Sequence, residues 1–186
     1  PEAAGAGLPL GEDEAAKRSD AHAAYESLSQ SGPAARDAIP TIAEGLNAGR
    51  QWTCVIAARA LARIGPAALP VLVDALRHGS PAGKAGAVEG LAQLGPAAGE
   101  AAPDLAAALK QKELRQEAAK ALAEIGIAAA PAAPALLECL SDPDYRFRAE
   151  AASALAHVRP GSPEALSALI DMLDDSDRQD GSCVQA

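Results

Sequence analysis

The sequence predicts an all-α solenoid of about five helical hairpins stacked in a row. Three observations carry that prediction. A phrase recurs along the chain as Leu28-Ser-Gln-Ser-Gly32-Pro, Leu61-Ala-Arg-Ile-Gly65-Pro, Leu91-Ala-Gln-Leu-Gly95-Pro, Leu122-Ala-Glu-Ile-Gly126-Ile and Leu155-Ala-His-Val-Arg159-Pro, at spacings of 33, 30, 31 and 33. Self-similarity at a fixed period of about 20–50 residues marks stacked repeats. Alanine makes up about a quarter of the residues and aromatics only 2%. Such a core closes only where helices approach closely, because the large rings that normally fill one are missing. No alternating β-branched run suggests a sheet.

Residues 1–11 are rich in Pro, Gly and Ala and read as a linker or disordered tail. The solenoid is expected over residues 12–177, in units 12–49, 50–80, 81–111, 112–142 and 143–177. Each unit holds a first helix ending at the glycine position, a tight turn and a second helix. The glycine is expected in the left-handed conformation that ends a helix. Pro33, Pro66 and Pro96 follow it and cannot continue the helix. Pro40, Pro70, Pro103 and Pro134 fall in the first turn of the second helix, where a missing N–H costs nothing. Unit two lacks three residues between Gly65 and Pro70, and the link from Leu109 to Arg115 is two residues shorter than its counterparts.

Aligned units expose the core. First helices share Ala57-Ala58-Arg59-Ala60-Leu61, Ala118-Ala119-Lys120-Ala121-Leu122 and Ala151-Ala152-Ser153-Ala154-Leu155. Second helices share the pairs Ile42/Leu46, Leu72/Leu76, Leu105/Leu109, Leu136/Leu140 and Leu169/Leu173, four apart and therefore on one face. Burying each such side chain contributes about 1.5–3 kcal/mol before entropy is counted.

The stretch from Ser141-Asp-Pro-Asp-Tyr-Arg-Phe-Arg148 to Leu155 resembles the HEAT-like repeats of phycobilin lyases, whose pattern runs Asp-x-Asp, Val-Arg, Ala-Ala-x-Ala-Leu-Gly, Ile-Gly-Pro. Arg115 and Arg148 match the arginine of that pattern and Lys84 nearly does, whereas Ala21 and Cys54 depart from it. The resemblance covers residues 20–177 and implies a right-handed α-solenoid with the second helices on its concave face. It says little of activity, because function is grafted onto such folds residue by residue.

Enzyme readings find no support in the residues. HEAT-like diiron hydroxylases use His-Glu pairs, but His22, His78 and His157 precede Ala, Gly and Val. No His-Glu-x-x-His and no phosphate-binding glycine loop is present. HEAT-like DNA glycosylases need a basic, aromatic-bearing concave face, and a net charge of −9 opposes nucleic acid and anionic membranes alike. Uncharged windows are broken by Gly, Pro or Arg before 18 residues, so no transmembrane helix is expected. Residues 1–19 lack the apolar core of a secretory signal, and the start at Pro1 suggests a processed or excised chain. Cys54, Cys139 and Cys183 are odd in number and far apart, which fits reduced thiols in a cytoplasm rather than disulfides or zinc ligands.

The informative constellation stands on the second helices. Glu44, Asp74, Ala107, Glu138 and Asp171 each lie two residues before a core leucine and point away from the buried face. On the concave surface the four carboxylates Glu44, Asp74, Glu138 and Asp171 would form a ladder with rungs about 8–10 Å apart. The ladder suits a basic partner; it also has a plain role in keeping the helices soluble. The matching column on the first helices is mixed in sign: Glu26, Arg59, Glu89, Lys120, Ser153. Asp37, Glu100 and Glu164 are expected to complement the helix dipoles at second-helix starts. Trp52 aligns with Ala82, Glu113 and Arg146, so it is either an exposed binding hot spot or a ring folded over its neighbour. Tyr145 is expected half exposed and Phe147 buried. Arg50, Arg59, Arg63, Arg77 and Lys84 are spread over helices and loops and read as solvated surface.

The expected function is a non-catalytic scaffold that captures a protein or basic peptide on its concave face, with no cofactor and no metal. The alternatives are an architectural spacer within a longer chain and a lyase-like or hydroxylase-like subunit. Leu173-Asp-Asp-Ser-Asp177 repeats the link Leu140-Ser-Asp-Pro-Asp144, so residues 178–186 read as a tail or the start of a truncated sixth unit. An uncapped apolar end of this kind is expected to promote self-association.

Overall fold

The computed structural model describes residues 32–48 and 50–170, together with Ala23 and Ser27. The expectations for residues 1–11, His22, Asp171, Leu173, Cys183 and the segment 178–186 lie outside the described residues. Among the described residues the fold is all helical, an α-solenoid of hairpins. Unit one contributes the second helix Ile39–Leu46. Unit two pairs Gln51–Ile64 with Leu69–His78, and unit three pairs Pro81–Leu94 with Ala102–Ala108. Unit four pairs Arg115–Ile125 with Ala133–Cys139. Unit five pairs Tyr145–Val158 with a helix over 163–170. First helices pack on first helices of the next unit, and each second helix packs chiefly on the first helix of the unit that follows it.

The connection within a unit is longer and more regular than a tight turn. It is a 3-10 segment: Gly32–Ala38 (kinked at Ala35), Gly95–Ala101 and Gly126–Ala132 of seven residues each, but Pro66–Ala68 of only three. A 3-10 helix has about three residues per turn, so the deletion in unit two removes about one turn and keeps the two helices in phase. Pro40, Pro70, Pro103 and Pro134 all sit in the first turn of the α-helix that follows.

The glycines differ from the expected left-handed cap. Gly65, Gly95 and Gly126 have φ of 102°, 56° and 67°, but ψ of −158°, −135° and −138°. That combination is an extended backbone with positive φ, a region that side chains bar to residues other than glycine. It swings the chain straight from the α-helix into the 3-10 segment. In unit five Arg159 occupies the glycine's register at a negative φ of −132°, and the positive φ moves two residues on, to Gly161 at 78°.

The predicted alanine and leucine phrases of the first helices are all buried, as are Ile42, Leu46, Leu72, Leu76, Leu105, Leu109 and Leu136. Leu140 and Leu169 are half buried. Units two and three approach closely. A Cβ on Gly86 would lie 2.9 Å from the Cys54 carbonyl oxygen, and one on Gly90 3.1 Å from that of Ala58. Units three and four meet tightly at the 3-10 edge, where a Cβ on Gly99 would lie 2.9 Å from that of Ala128.

One stretch, Arg115–Cys139, is long and apolar enough to cross a membrane by length and composition, contrary to the window argument. It is not one α-helix. Gly126 ends the first helix of unit four, and the chain turns back through Gly126–Ala132 into Ala133–Cys139.

Candidate interaction face of the second helices

The column predicted from the repeat is in register. Glu44, Asp74, Ala107 and Glu138 are all exposed, because the leucine two positions on fixes the opposite helix face in the core. Asp171, the last rung, lies outside the described residues. One helical turn further along the same face stand Asn47, Arg77, Lys110 and Ser141, so the acids share their face with two cations.

Arg77 is engaged across the unit boundary. Its Nε and Nη2 donate to the two carboxylate oxygens of Asp104 at 2.6 and 2.9 Å. Those hydrogen bonds and the Asp104 charge, with a lesser contribution from Asp74, raise the guanidinium pKa above its ordinary value. Lys110 Nζ stands 3.7 Å from Glu138 in a pair exposed on both sides; such pairs contribute little, about 0–1 kcal/mol. Glu44 and Asp74 have no direct ion pair among the described residues. Charge on this face is therefore mixed: Glu44 at unit one, Asp74 beside the paired Arg77 at unit two, and Lys110 against Glu138 across units three and four.

Asp37 and Glu100 lie in the 3-10 segments ahead of the α-helices, so the first-turn acid of unit three is Asp104. Glu164 meets the expectation for a helix start: the Ser162 hydroxyl donates to it, and this bond first, then backbone hydrogen bonding, lowers its pKa.

The other predicted positions spread over the molecule. Trp52 is half buried as the second residue of Gln51–Ile64. Tyr145 is 42% exposed, with the Arg148 guanidinium 5.7 Å from its ring centroid. Neither adjoins the acidic column in sequence or in its helices. His78 and His157 are exposed, and His157 Nδ1 stands 2.8 Å from the Ser153 carbonyl one turn back. Cys54 is buried, its thiol donating to the Leu46 carbonyl at 3.1 Å. Cys139 is half buried, and burial, then the charges of Asp142 and Glu138, push its thiol pKa up.

Sequence reasoning missed the Arg115 cluster. Arg115 donates to Asp142 at 3.0 Å and to Asp144 at 2.7 Å, tying unit four to the link that opens unit five. Its guanidinium stacks on the Phe147 ring, 4.5 Å from the centroid. Asp144 also caps the following helix, accepting from the Arg146 amide at 3.0 Å, and its own amide donates to Asp142 at 2.8 Å. Arg148 donates back to the Asp142 carbonyl at 2.9 Å. The Asp-x-Asp and arginine of the repeat pattern were the available signal. Their partnership runs from one unit's arginine to the next unit's aspartates, and a single-repeat alignment hides it.

Beside this cluster lies a cleft of about 340 Å³ between the second helices of units three and four. Its apolar surface comes from Ala106, Leu109, Ala135 and Phe147, and its polar rim includes Lys110, Lys112 and Glu138. A second cleft of about 230 Å³ separates Lys84 from Gln111 and Glu113, the counterparts of Arg115 and its aspartates one unit earlier.

Other ties between units are Arg59–Glu89 at 2.9 Å and Lys120–Glu150 at 3.8 Å. Among the described residues, the one ion pair across the junction of units three and four is Lys110–Glu138.

Comparison with known proteins gives a consistent picture. Residues 102–185 match the family described as HEAT repeats, and residues 54–78 match the PBS lyase HEAT-like repeat. No curated protein shows a significant match. Among solved structures, the complex of CpcE and CpcF of phycocyanin lyase from Nostoc sp. PCC7120 is similar at 24% identity and a TM-score of 0.60, over 74% of this chain and 89% of that one. Two engineered proteins are similar at 24% and 25% identity, with TM-scores of 0.55 and 0.56. Each covers 88% of this chain, over 81% and 83% of its own length.

Proposed function

Because the chain is a HEAT-like repeat protein, we propose that it is a non-catalytic scaffold whose second-helix face captures a basic protein or peptide segment. The observation that supports this most directly is the column Glu44, Asp74 and Glu138, exposed at one register position in units one, two and four, with Ala107 at that position in unit three. A rigid stack holds such charges at fixed intervals, so a partner meets a set potential rather than one adaptable ion pair. Asp171 extends the column in this reading.

Reversal of Glu44, Asp74, Glu138 and Asp171 to lysine is expected to abolish partner binding with helicity intact. Wild-type binding should weaken steeply with salt, because exposed charges are screened over about 8 Å at physiological ionic strength. Recovery of the same partner from native lysate by the reversed variant would refute the reading. The likeness to a phycocyanin lyase complex is the ground for a second reading, a lyase-like subunit. A visible absorption band in protein purified from its native source would favour it over the scaffold.

A further inference from the structure

The geometry points to the kind of segment that the second-helix face takes. It is an extended chain that presents every third residue to the protein, in the order basic, basic, apolar, basic from unit one to unit four. This inference rests on the acidic column being the docking face. The column holds Glu44 and Asp74, then Ala107, then Glu138. Its uncharged rung, Ala107, is exposed and stands next to Ala106, which lines the cleft of about 340 Å³ between the second helices of units three and four. The missing acid and the cleft therefore coincide.

The residue that enters there is neutral. Lys110, Lys112 and Arg115 stand against Glu138, Asp142 and Asp144, so the charges balance in number and reward no ionised side chain for its desolvation. The floor is apolar: Leu109 and Phe147 line it from the core, 4% and 1% exposed, with Ala106 and Ala135 beside them. Arg115 is already fixed by both aspartates and the Phe147 ring, so filling the cleft requires no rearrangement there. Its volume sits at the small end of ligand clefts, which run from about 300 to 1,000 Å³, and suits one aliphatic side chain such as leucine. Glu138 is both a wall of this cleft and the next rung, so the apolar residue and the last basic one follow each other along the column.

Spacing selects the conformation. Successive second helices touch, and packed helices lie about 8–10 Å apart. A polyproline II chain rises about 3.1 Å per residue with three residues per turn, and so returns a side chain to one side every 9 Å or about that. A β-strand returns one about every 6.8 Å and falls out of step. Among the described residues there is also no strand, hence no sheet edge for the partner's backbone to join.

The probes are fluorescein-labelled Lys-Pro-Ser-Lys-Pro-Ser-Leu-Pro-Ser-Lys amide and the same sequence reversed, which covers both chain polarities. Binding is read by fluorescence anisotropy at low salt. In the better polarity the leucine peptide should bind roughly tenfold more tightly than versions with lysine or alanine in place of leucine. Ala107→Glu supplies the missing acid on an exposed rung and should reverse the preference, so that lysine exceeds leucine. Glu44→Lys with Asp74→Lys should weaken every peptide alike. Equal binding of the leucine and lysine peptides, still lost in Glu44→Lys with Asp74→Lys, overturns this inference and leaves the acidic column standing as the docking face. No binding by any of these peptides sinks both. Tighter binding by a helical peptide with the same four residues seven apart, about 10.5 Å along its axis, overturns the extended conformation.

Discussion

Gly86 sits in the middle of a first helix, where alanine would ordinarily be favoured by about 0.5–1 kcal/mol. Here the added methyl would meet the Cys54 carbonyl oxygen at 2.9 Å, and a backbone atom cannot rotate away. Overpacking of that kind costs about 1–3 kcal/mol, so Gly86→Ala should lower the urea midpoint despite the better helix former. Arg115 presents the complementary case. Lysine would keep the charge but cannot reach both Asp142 and Asp144 from one planar fork. Arg115→Lys is expected to cost about 1–3 kcal/mol, measured by chemical denaturation. An equal loss in Lys120→Ala, whose pair with Glu150 is long at 3.8 Å, would show that this geometry is not what matters.

The hairpins themselves were largely readable. Alanines in the small-small-x-small-Leu phrase are buried because only they let first helices approach, and their spacing exposes that face directly. Leu122→Ala should therefore cost about 2–5 kcal/mol, against under about 0.5 kcal/mol for an exposed substitution such as Lys120→Ala; matching midpoints would mean the register is wrong. What stayed hidden has physical causes. Gly-Pro marks a helix end but does not give ψ, so the extended positive-φ turn and the 3-10 segment behind it read only as a turn. Arg77 and Asp104 are 27 residues apart, short of the repeat period, so no alignment column contains both. The acidic column, by contrast, was legible because the core leucine beside each acid fixes its direction.

At the far end, Leu166 and Ile170 lie four residues apart on the helix over 163–170, 54% and 57% exposed. Residues on one face at that spacing form a contiguous apolar strip, of a kind that marks contact surfaces. Sedimentation should show concentration-dependent self-association that Leu166→Lys with Ile170→Lys removes; a strictly monomeric parent protein would contradict this. The ties between units are also unequal. Units two and three are joined by Arg59–Glu89 and Arg77–Asp104, and the unit-five end by Arg115 and Lys120. The joint between units three and four has its tight contact at one edge, Gly99 against Ala128, and open clefts at the other. Mechanically this is a spring with one soft coil, pivoting on the Gly99 edge. Under bending or tension the molecule gives way there first, so distances between spin labels placed across that joint should be broader than those across its neighbours.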